Sequence, residues 1–372
     1  MVYNRRMAKP SSNRREFLQG KAAQKAISAA VDSSLAAGEP AEPESSAPHS
    51  YQIQLRRQAM ACEFAVYLNA GQYADGSEVA LRALDLVDEL ESQLTVYRDT
   101  SEVSAINRAA ADGPVEVEPR LFDLLGRSLE LFEATDGAFD ITAGPLVKLW
   151  GFFRRQGRVP AEDDLAATID RIGSQHVQLD RDARTIQFLK TGVEINLGSI
   201  GKGYALDRCD ELMRESGIND FLWHGGQSSV GGRGTSGEVS GPRRGWCIGV
   251  ADPLNSTRRL AEIWLRDQAL ATSGAAVQFF RHNGKRYGHI LDPRTGWPAE
   301  GVFSATVVAP TAAEADALAT AFYVLGIDRT AAYCEQHPGV GAVITYPSPT
   351  GSKVELVKFG LEADQWRRLD GT

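Results

Sequence analysis

One segment near the middle of the chain joins a strand-like pattern to a glycine-rich turn and the start of a helix. It reads Val193-Glu194-Ile195-Asn196-Leu197-Gly198-Ser199-Ile200-Gly201-Lys202-Gly203. Apolar residues from Ala205 onward recur at helical spacing, and Gly217 is a natural end for that helix. Glycines let a backbone approach a ligand closely, and a helix N-terminus presents free N–H groups to phosphate. The segment predicts a strand followed by a phosphate-binding turn; a tight turn with a solvated lysine is the alternative.

The patterns on either side of this segment mix strands and helices without a regular βαβ period. This favours an α+β fold, in which mixed or antiparallel sheets pack with helices. Alternating or continuous apolar runs predict strands at residues 51–55, 64–68, 221–226 and 303–308. Helical spacing predicts helices over residues 79–90, after Pro119 and over about residues 312–325. The polar, glycine-rich residues 231–241 predict a mobile loop.

Composition and charge exclude two classes of function. The net charge is -8 with no long basic run, which argues against a nucleic-acid binder. No apolar stretch approaches the roughly 18–20 residues that span a bilayer. The four cysteines are scattered, so we expect buried or idle thiols and no disulfide framework. Residues 50–372 read as a single catalytic domain.

The first 49 residues read as a disordered leader. They contain Arg14-Arg15 in a context similar to a twin-arginine export signal, but the residues that follow are too polar for its apolar region. Residues 33–50 are rich in Ala, Ser, Glu and Pro, which is the composition of a tether. A functional signal would place the protein in the periplasm; otherwise we expect it in the cytoplasm.

A carboxylate and a hydroxyl lie one turn apart on the last predicted helix. Asp316 and Thr320 stand beside an apolar stripe, and we expect Asp316 to face the surface. Carboxylate and hydroxyl oxygens are hard ligands that suit Mg²⁺ shared with a substrate phosphate. The alternative is a helix-surface charge with a threonine bonded to its own backbone.

Two further motifs carry candidate chemistry. His289 precedes the turn sequence Asp292-Pro293-Arg294-Thr295-Gly296, and a histidine is a plausible proton acceptor near neutral pH. We take His289 as the candidate base and Asp292 as its partner; a structural histidine is the alternative. Aromatic residues between Gly137 and Phe152 can wall a planar ring or form core.

In this order the motifs resemble the ApbE family of FAD:protein FMN transferases. The resemblance runs from about Met60 to Val343 and includes residues 97–103, 137–152, 196–207, 225–226, 272–274, 289–296 and 315–320. Asn196 and Gln227 stand where the family usually has aspartate. The resemblance implies an α+β fold related to the T-fold.

The resemblance also implies two sets of site residues. FAD would contact Met60, Tyr97, Ala138, Phe139, Asp140, Asn196, Lys202 and Ile290. Mg²⁺ would be held by Asp316 and Thr320, with a backbone oxygen near Ser199.

The activity implied is Mg²⁺-dependent transfer of FMN from FAD to a threonine or serine hydroxyl, with release of AMP. The acceptor would be a flavoprotein subunit of a membrane redox complex. Two rivals use the same residues: a Mg²⁺-dependent FAD pyrophosphatase, in which water replaces the acceptor, and a carrier that binds FAD without turnover.

Overall fold

The computed structural model describes residues 51–154, 156–237, 243–275, 278–348 and 353–369. The strands there are β1 (Gln52–Ala59), β2 (Cys62–Asn69), β3 (Val115–Glu116), β4 (Val177–Asp180), β5 (Thr185–Phe188), β6 (Phe221–Gly225), β7 (Ser229–Arg233), β8 (Trp246–Asp252), β9 (Asn255–Leu265), β10 (Gln268–Gly274), β11 (Phe279–His282), β12 (Lys285–Gly288), β13 (Ser304–Ala309), β14 (Gly341–Pro347), β15 (Val354–Phe359) and β16 (Trp366–Arg368). The helices are α1 (Gly76–Leu94), α2 (Glu102–Ala109), α3 (Pro119–Ala134), α4 (Gly144–Leu149), α5 (Glu162–Ile169), α6 (Gly201–Glu215) and α7 (Ala312–Gln336).

An eight-stranded antiparallel sheet forms the centre of the fold. Its order is β1-β2-β6-β7-β10-β13-β14-β15. Successive side chains of a strand point to opposite faces, so Trp223 of β6 joins one core and Leu222 packs on another. The expected α+β fold with antiparallel sheets is confirmed.

Three long helices cover one face of this sheet. α6 packs on both α1 and α7, and each helix buries apolar residues, including Val79, Ala83 and Leu90 of α1. Two helix starts are capped by side chains: Glu118, before Pro119, accepts a hydrogen bond from the Leu121 amide, and Thr311 accepts one from the Glu314 amide. α7 is interrupted at Gly326, next to the predicted end of that helix.

The opposite face carries a smaller sheet in the order β16-β9-β8. Ile263 and Leu265 of β9 are fully buried there with Leu270 and Val308 of the large sheet. Two short sheets, β3-β5-β4 and the β11-β12 hairpin, lie outside this sandwich. The face of the large sheet opposite the helices is therefore covered by an apolar layer.

The strand prediction for residues 193–197 is wrong. This segment is part of no strand. The Asn107 side chain bonds both backbone groups of Ile195, at 2.8 and 2.9 Å, and the Asn196 amide donates to the Ile141 carbonyl at 2.7 Å. A single side chain thus replaces a neighbouring strand.

The mobile-loop prediction for residues 231–241 is also wrong in its first part. Gly231 and Gly232 lie inside β7. The Trp223 ring occupies the space where a Cβ at residue 231 would lie, which explains why this strand has a glycine there. Residues 238–241 lie outside the described residues, as do the leader and its export signal. All four cysteines are free, and no described helix is long and apolar enough to cross a membrane.

Candidate active site

A cavity of about 520 Å³ opens beside the N-terminus of α6. Most of the predicted site residues line it: Tyr97, Ala138, Asp140, Asn196, Ser199, Lys202, His289, Ile290, Asp316 and Thr320. Two predicted FAD contacts do not. Phe139 is buried in the main core, and Met60 packs against that core from the β1–β2 turn. Asp292 is likewise absent from the lining.

Asp316 is buried, contrary to the expectation of a surface position. Its residue exposure is 6%, and its carboxylate accepts hydrogen bonds from the Gly203 amide at 2.8 Å and from the Ser229 hydroxyl. The Lys202 ammonium lies 3.5 Å from Oδ2. The N-cap residue of α6, Ile200, supplies no side-chain acceptor, so Asp316 satisfies one of the free amides of that helix.

Thr320 continues the same oxygen-rich edge of α7. Its hydroxyl bonds the Asp316 carbonyl at 3.3 Å, as the alternative interpretation predicted, and also lies 3.2 Å from the Ser273 hydroxyl. Thr272 and Ser273 come from the end of β10 and line the cavity as well. One carboxylate and several hydroxyl oxygens therefore converge on one wall.

The segment from Asn196 to Lys202 forms the floor beside this wall. The Asn196 side chain accepts a hydrogen bond from the Gly198 amide at 2.9 Å, which closes the turn before α6. Gly198, Ser199 and Lys202 all face the cavity. A helix N-terminus and a lysine at the same wall form an environment that favours a bound anion.

His289 lines the cavity, and one of its two ring nitrogens has a hydrogen-bond partner. Its Nδ1 lies 3.1 Å from the Gln278 carbonyl oxygen, which can only accept, so Nδ1 carries the proton and Nε2 is left as an acceptor. Burial lowers the pKa of His289, the hydrogen bond to Gln278 opposes this shift, and Lys202 adds to it. The lowered pKa favours the neutral ring, which is the form that a general base requires.

Asp292 does not pair with His289. Its carboxylate accepts hydrogen bonds from the backbone amide and the guanidinium of Arg294, at 2.8 to 3.0 Å. These bonds close the turn predicted from the sequence. Because the carboxylate is engaged there, the partner of His289 is the Gln278 carbonyl instead.

Asp140 contributes a second buried carboxylate at the far wall. Its Oδ1 accepts hydrogen bonds from the amide and hydroxyl of Thr142 and from the Ser174 hydroxyl, at 2.7 to 2.8 Å. Burial raises the pKa of Asp140, and these bonds oppose the rise.

Aromatic side chains divide between the cavity and the core. Tyr97 is 71% exposed and stacks on Phe153 at the cavity mouth, with ring centroids 4.7 Å apart. Phe152 lines the cavity and meets the His289 ring edge-on. Trp150 is fully buried and donates to the Gly296 carbonyl at 2.8 Å. Trp150 is therefore a core residue, whereas contact of Phe152 with a planar ring stays a prediction.

Comparison with known proteins settles the family. The sequence model of the family described as the ApbE family matches residues 51–344 of this chain. The chain belongs to the ApbE family. It is similar to the FAD:protein FMN transferases of Treponema pallidum (34% identical over 272 residues, 70% of this chain and 75% of that protein) and Escherichia coli K12 (32% over 269 residues, 70% and 74%). The ApbE protein of Thermotoga maritima has a crystal structure with a TM-score of 0.73 at 30% identity, covering 82% of this chain and 96% of that one. The predicted family, fold class and transferase class are confirmed.

Three residues that support the site were given no role from the sequence. Ser229 bonds the Asp316 carboxylate, and Asp207 of α6 accepts hydrogen bonds from the Ala312 and Ala313 amides at the start of α7, at 2.7 and 2.8 Å. Gly203 lets the two helices approach, since a Cβ there would lie 2.0 Å from the Ala312 carbonyl oxygen. The position of Gly203 directly after Lys202, in a glycine-rich turn, was a signal for a close backbone contact. The sequence around Ser229 gives no comparable signal.

Proposed function

We propose that this ApbE-family enzyme transfers FMN from FAD to a threonine or serine hydroxyl of a target flavoprotein and releases AMP in a Mg²⁺-dependent reaction. The supporting observation is that one cavity brings together an oxygen-rich wall at Asp316, a cationic helix start at Lys202 and an unprotonated nitrogen of His289. Phosphoryl transfer needs such groups: charge stabilisation, anion binding and a proton acceptor.

The residues present fit a magnesium ion that shares its ligands with a substrate. The described residues hold no group of three or more His, Cys, Asp or Glu side chains that could bind a metal. Mg²⁺ is usually bound through one or two carboxylates plus waters and substrate phosphates, so Asp316 and Thr320 suffice if the FAD pyrophosphate completes the set. When bound, the ion neutralises charge on the pyrophosphate and on the departing AMP.

The residues of the chain then have separate tasks. The acceptor oxygen forms a bond to the phosphorus of the FMN half, and the bond from that phosphorus to the AMP oxygen breaks with its electron pair. His289 takes the acceptor proton at Nε2, while its Nδ1–H stays on the Gln278 carbonyl. Lys202, at the start of α6, binds the phosphates, and the stacked Tyr97–Phe153 pair offers a planar surface to a ring.

The acceptor we propose is a flavoprotein subunit of a membrane redox complex. An exposed cavity mouth, bordered by Tyr97, is compatible with entry of a protein side chain. If residues 1–49 act as an export signal, the reaction takes place in the periplasm.

The test uses the full chain with FAD, Mg²⁺ and a library of peptides that contain threonine or serine. We expect AMP release together with a covalent flavin mass on an acceptor peptide. Asp316→Asn keeps the shape of the side chain and removes the charge, so AMP release should fall at least about a hundredfold. Asp328→Asn, an exposed change of the same kind on the same helix, is the matched control and should keep full activity.

The other outcomes are distinct. AMP with free FMN and no modified peptide would identify a pyrophosphatase. FAD binding without AMP would identify a carrier. Full Mg²⁺-dependent turnover by Asp316→Asn would refute the proposed metal site.

A further inference from the structure

The side chain of Lys202 lies beside the carboxylate of Asp316 and lines the cavity proposed for the FAD pyrophosphate. Its ammonium is 3.5 Å from Oδ2 of Asp316, and the side-chain exposures are 25% for the lysine and 6% for the aspartate. Lys202 also lines the cavity at the start of α6, where the pyrophosphate of FAD would bind under the proposed function. Lys202 can therefore neutralise the metal-binding carboxylate or a phosphate.

Of this ion pair, the carboxylate is fixed and the ammonium is free to move. Asp316 is held on Oδ1 by Ser229, whose exposure is 0%, and on Oδ2 by the Gly203 amide at 2.8 Å. Lys202 carries its charge on a flexible four-carbon chain, and among the described residues its ammonium forms an ion pair with Asp316. Any change in this pair is a movement of the lysine.

We propose that Lys202 competes with Mg²⁺ for Asp316, and that the pyrophosphate of FAD relieves this competition by drawing the ammonium away. The inference rests on the proposed function and adds an order to its binding steps. An ammonium beside Asp316 cancels the charge that attracts a divalent cation and repels the cation directly. FAD removes both obstacles at once, so the protein takes up Mg²⁺ tightly only when FAD is bound.

Competition for Asp316 predicts a result that differs from the result expected if Lys202 only binds phosphate. Lys202→Met keeps the length of the side chain and removes the charge, so the protein without FAD should bind Mg²⁺ about tenfold more tightly, within the usual range of coupling between two sites. If Lys202 served only to bind phosphate, its removal would leave the binding of Mg²⁺ alone unchanged. Mg²⁺ is titrated calorimetrically into the full chain with no flavin present.

Two controls accompany the titration. Lys190→Met makes the same change of net charge at a lysine whose partner is Asp170, and it should leave Mg²⁺ binding as in the wild type. Asp316→Asn should abolish binding. Circular dichroism confirms that each variant is folded, and Lys202→Gln replaces Lys202→Met if the latter is not.

Each result has one meaning. Tighter binding in the Lys202 variant alone supports the competition. Unchanged or weaker binding in that variant, including no detectable binding in either protein, overturns it. If Asp316→Asn still binds Mg²⁺ like the wild type, the metal site of the proposed function fails as well. No turnover is measured, so the absence of an acceptor does not affect the outcome.

Discussion

The contact between α6 and α7 at Gly203 allows the sharpest test of how this fold builds its site. A Cβ at residue 203 would lie 2.0 Å from the Ala312 carbonyl oxygen, 2.4 Å from the Ala312 carbonyl carbon and 2.6 Å from the Ala313 nitrogen. All three are backbone atoms, so no side chain can rotate away. Since ordinary contacts begin at 3.4 Å, Gly203→Ala requires the helices to separate by about 1.4 Å, the difference between 3.4 and 2.0 Å.

This separation stretches the polar bonds that join the helices. They are the bond from the Gly203 amide to Asp316, at 2.8 Å, and the two bonds from the start of α7 to Asp207, at 2.7 and 2.8 Å. Overpacking costs about 1–3 kcal/mol, and a hydrogen bond to a charged group contributes about 1.5–3 kcal/mol. The helix preference of alanine over glycine returns only about 0.5–1 kcal/mol. We expect the free energy of unfolding to fall by about 3 kcal/mol, with weaker Mg²⁺ binding.

Urea unfolding and Mg²⁺ calorimetry measure the two effects. Gly126→Ala is the matched control, because Gly126 is also helical and the nearest atom to its added Cβ is a side-chain carbon 4.0 Å away. It should be neutral or slightly stabilising. Wild-type stability and Mg²⁺ affinity in Gly203→Ala would refute the close approach and the role of Gly203 in holding Asp316.

Two further predictions concern Ser229, which bonds the Asp316 carboxylate, and the buried side chain of His224. Ser229→Ala removes a hydrogen bond that orients the Asp316 carboxylate, so calorimetry should show at least about tenfold weaker Mg²⁺ binding; an unchanged affinity would contradict this role. Burial lowers the pKa of His224 from 6.5 to about 4, and its positive form is thus disfavoured in the folded state. The stability that comes from keeping it neutral is complete above pH 6.5 and is lost as the pH falls towards 4, by about 3 kcal/mol at about 1.4 kcal/mol per pKa unit. Urea unfolding at pH 7 and pH 4 should show a smaller loss for His224→Phe than for the wild type, and equal losses would exclude this cause.

The sequence was most informative where local pattern and position coincide. Apolar spacing predicted the buried stripe of α1 and the strand at β13, because one face of each element packs against the core. The order of the motifs predicted that Lys202, His289, Asp316 and Thr320 share a site, and all four line one cavity. Their catalytic and ligand roles remain predictions for the experiments above.

What the sequence did not reveal depends on contacts between distant segments. Residues 193–197 have the composition of a strand, but the Asn107 side chain takes both backbone groups of Ile195, and no local pattern encodes that bond. Ser229 is separated from Asp316 by 87 residues. The pairing of Asp292 was misjudged for the opposite reason: its nearest donor, Arg294, is only two residues away.

The burial of Asp316 shows why this difference matters for function. A surface-facing aspartate could be removed without effect on folding, and its loss would test catalysis alone. The observed carboxylate also satisfies a free amide of α6 and accepts a bond from β7, so it joins three elements that the sequence keeps far apart. Removing it should affect Lys202 and the start of α6 as well as the proposed metal site. A substitution that keeps the shape, Asp316→Asn, therefore separates chemistry from structure better than alanine, and the same reasoning makes Lys202 the movable member of the pair.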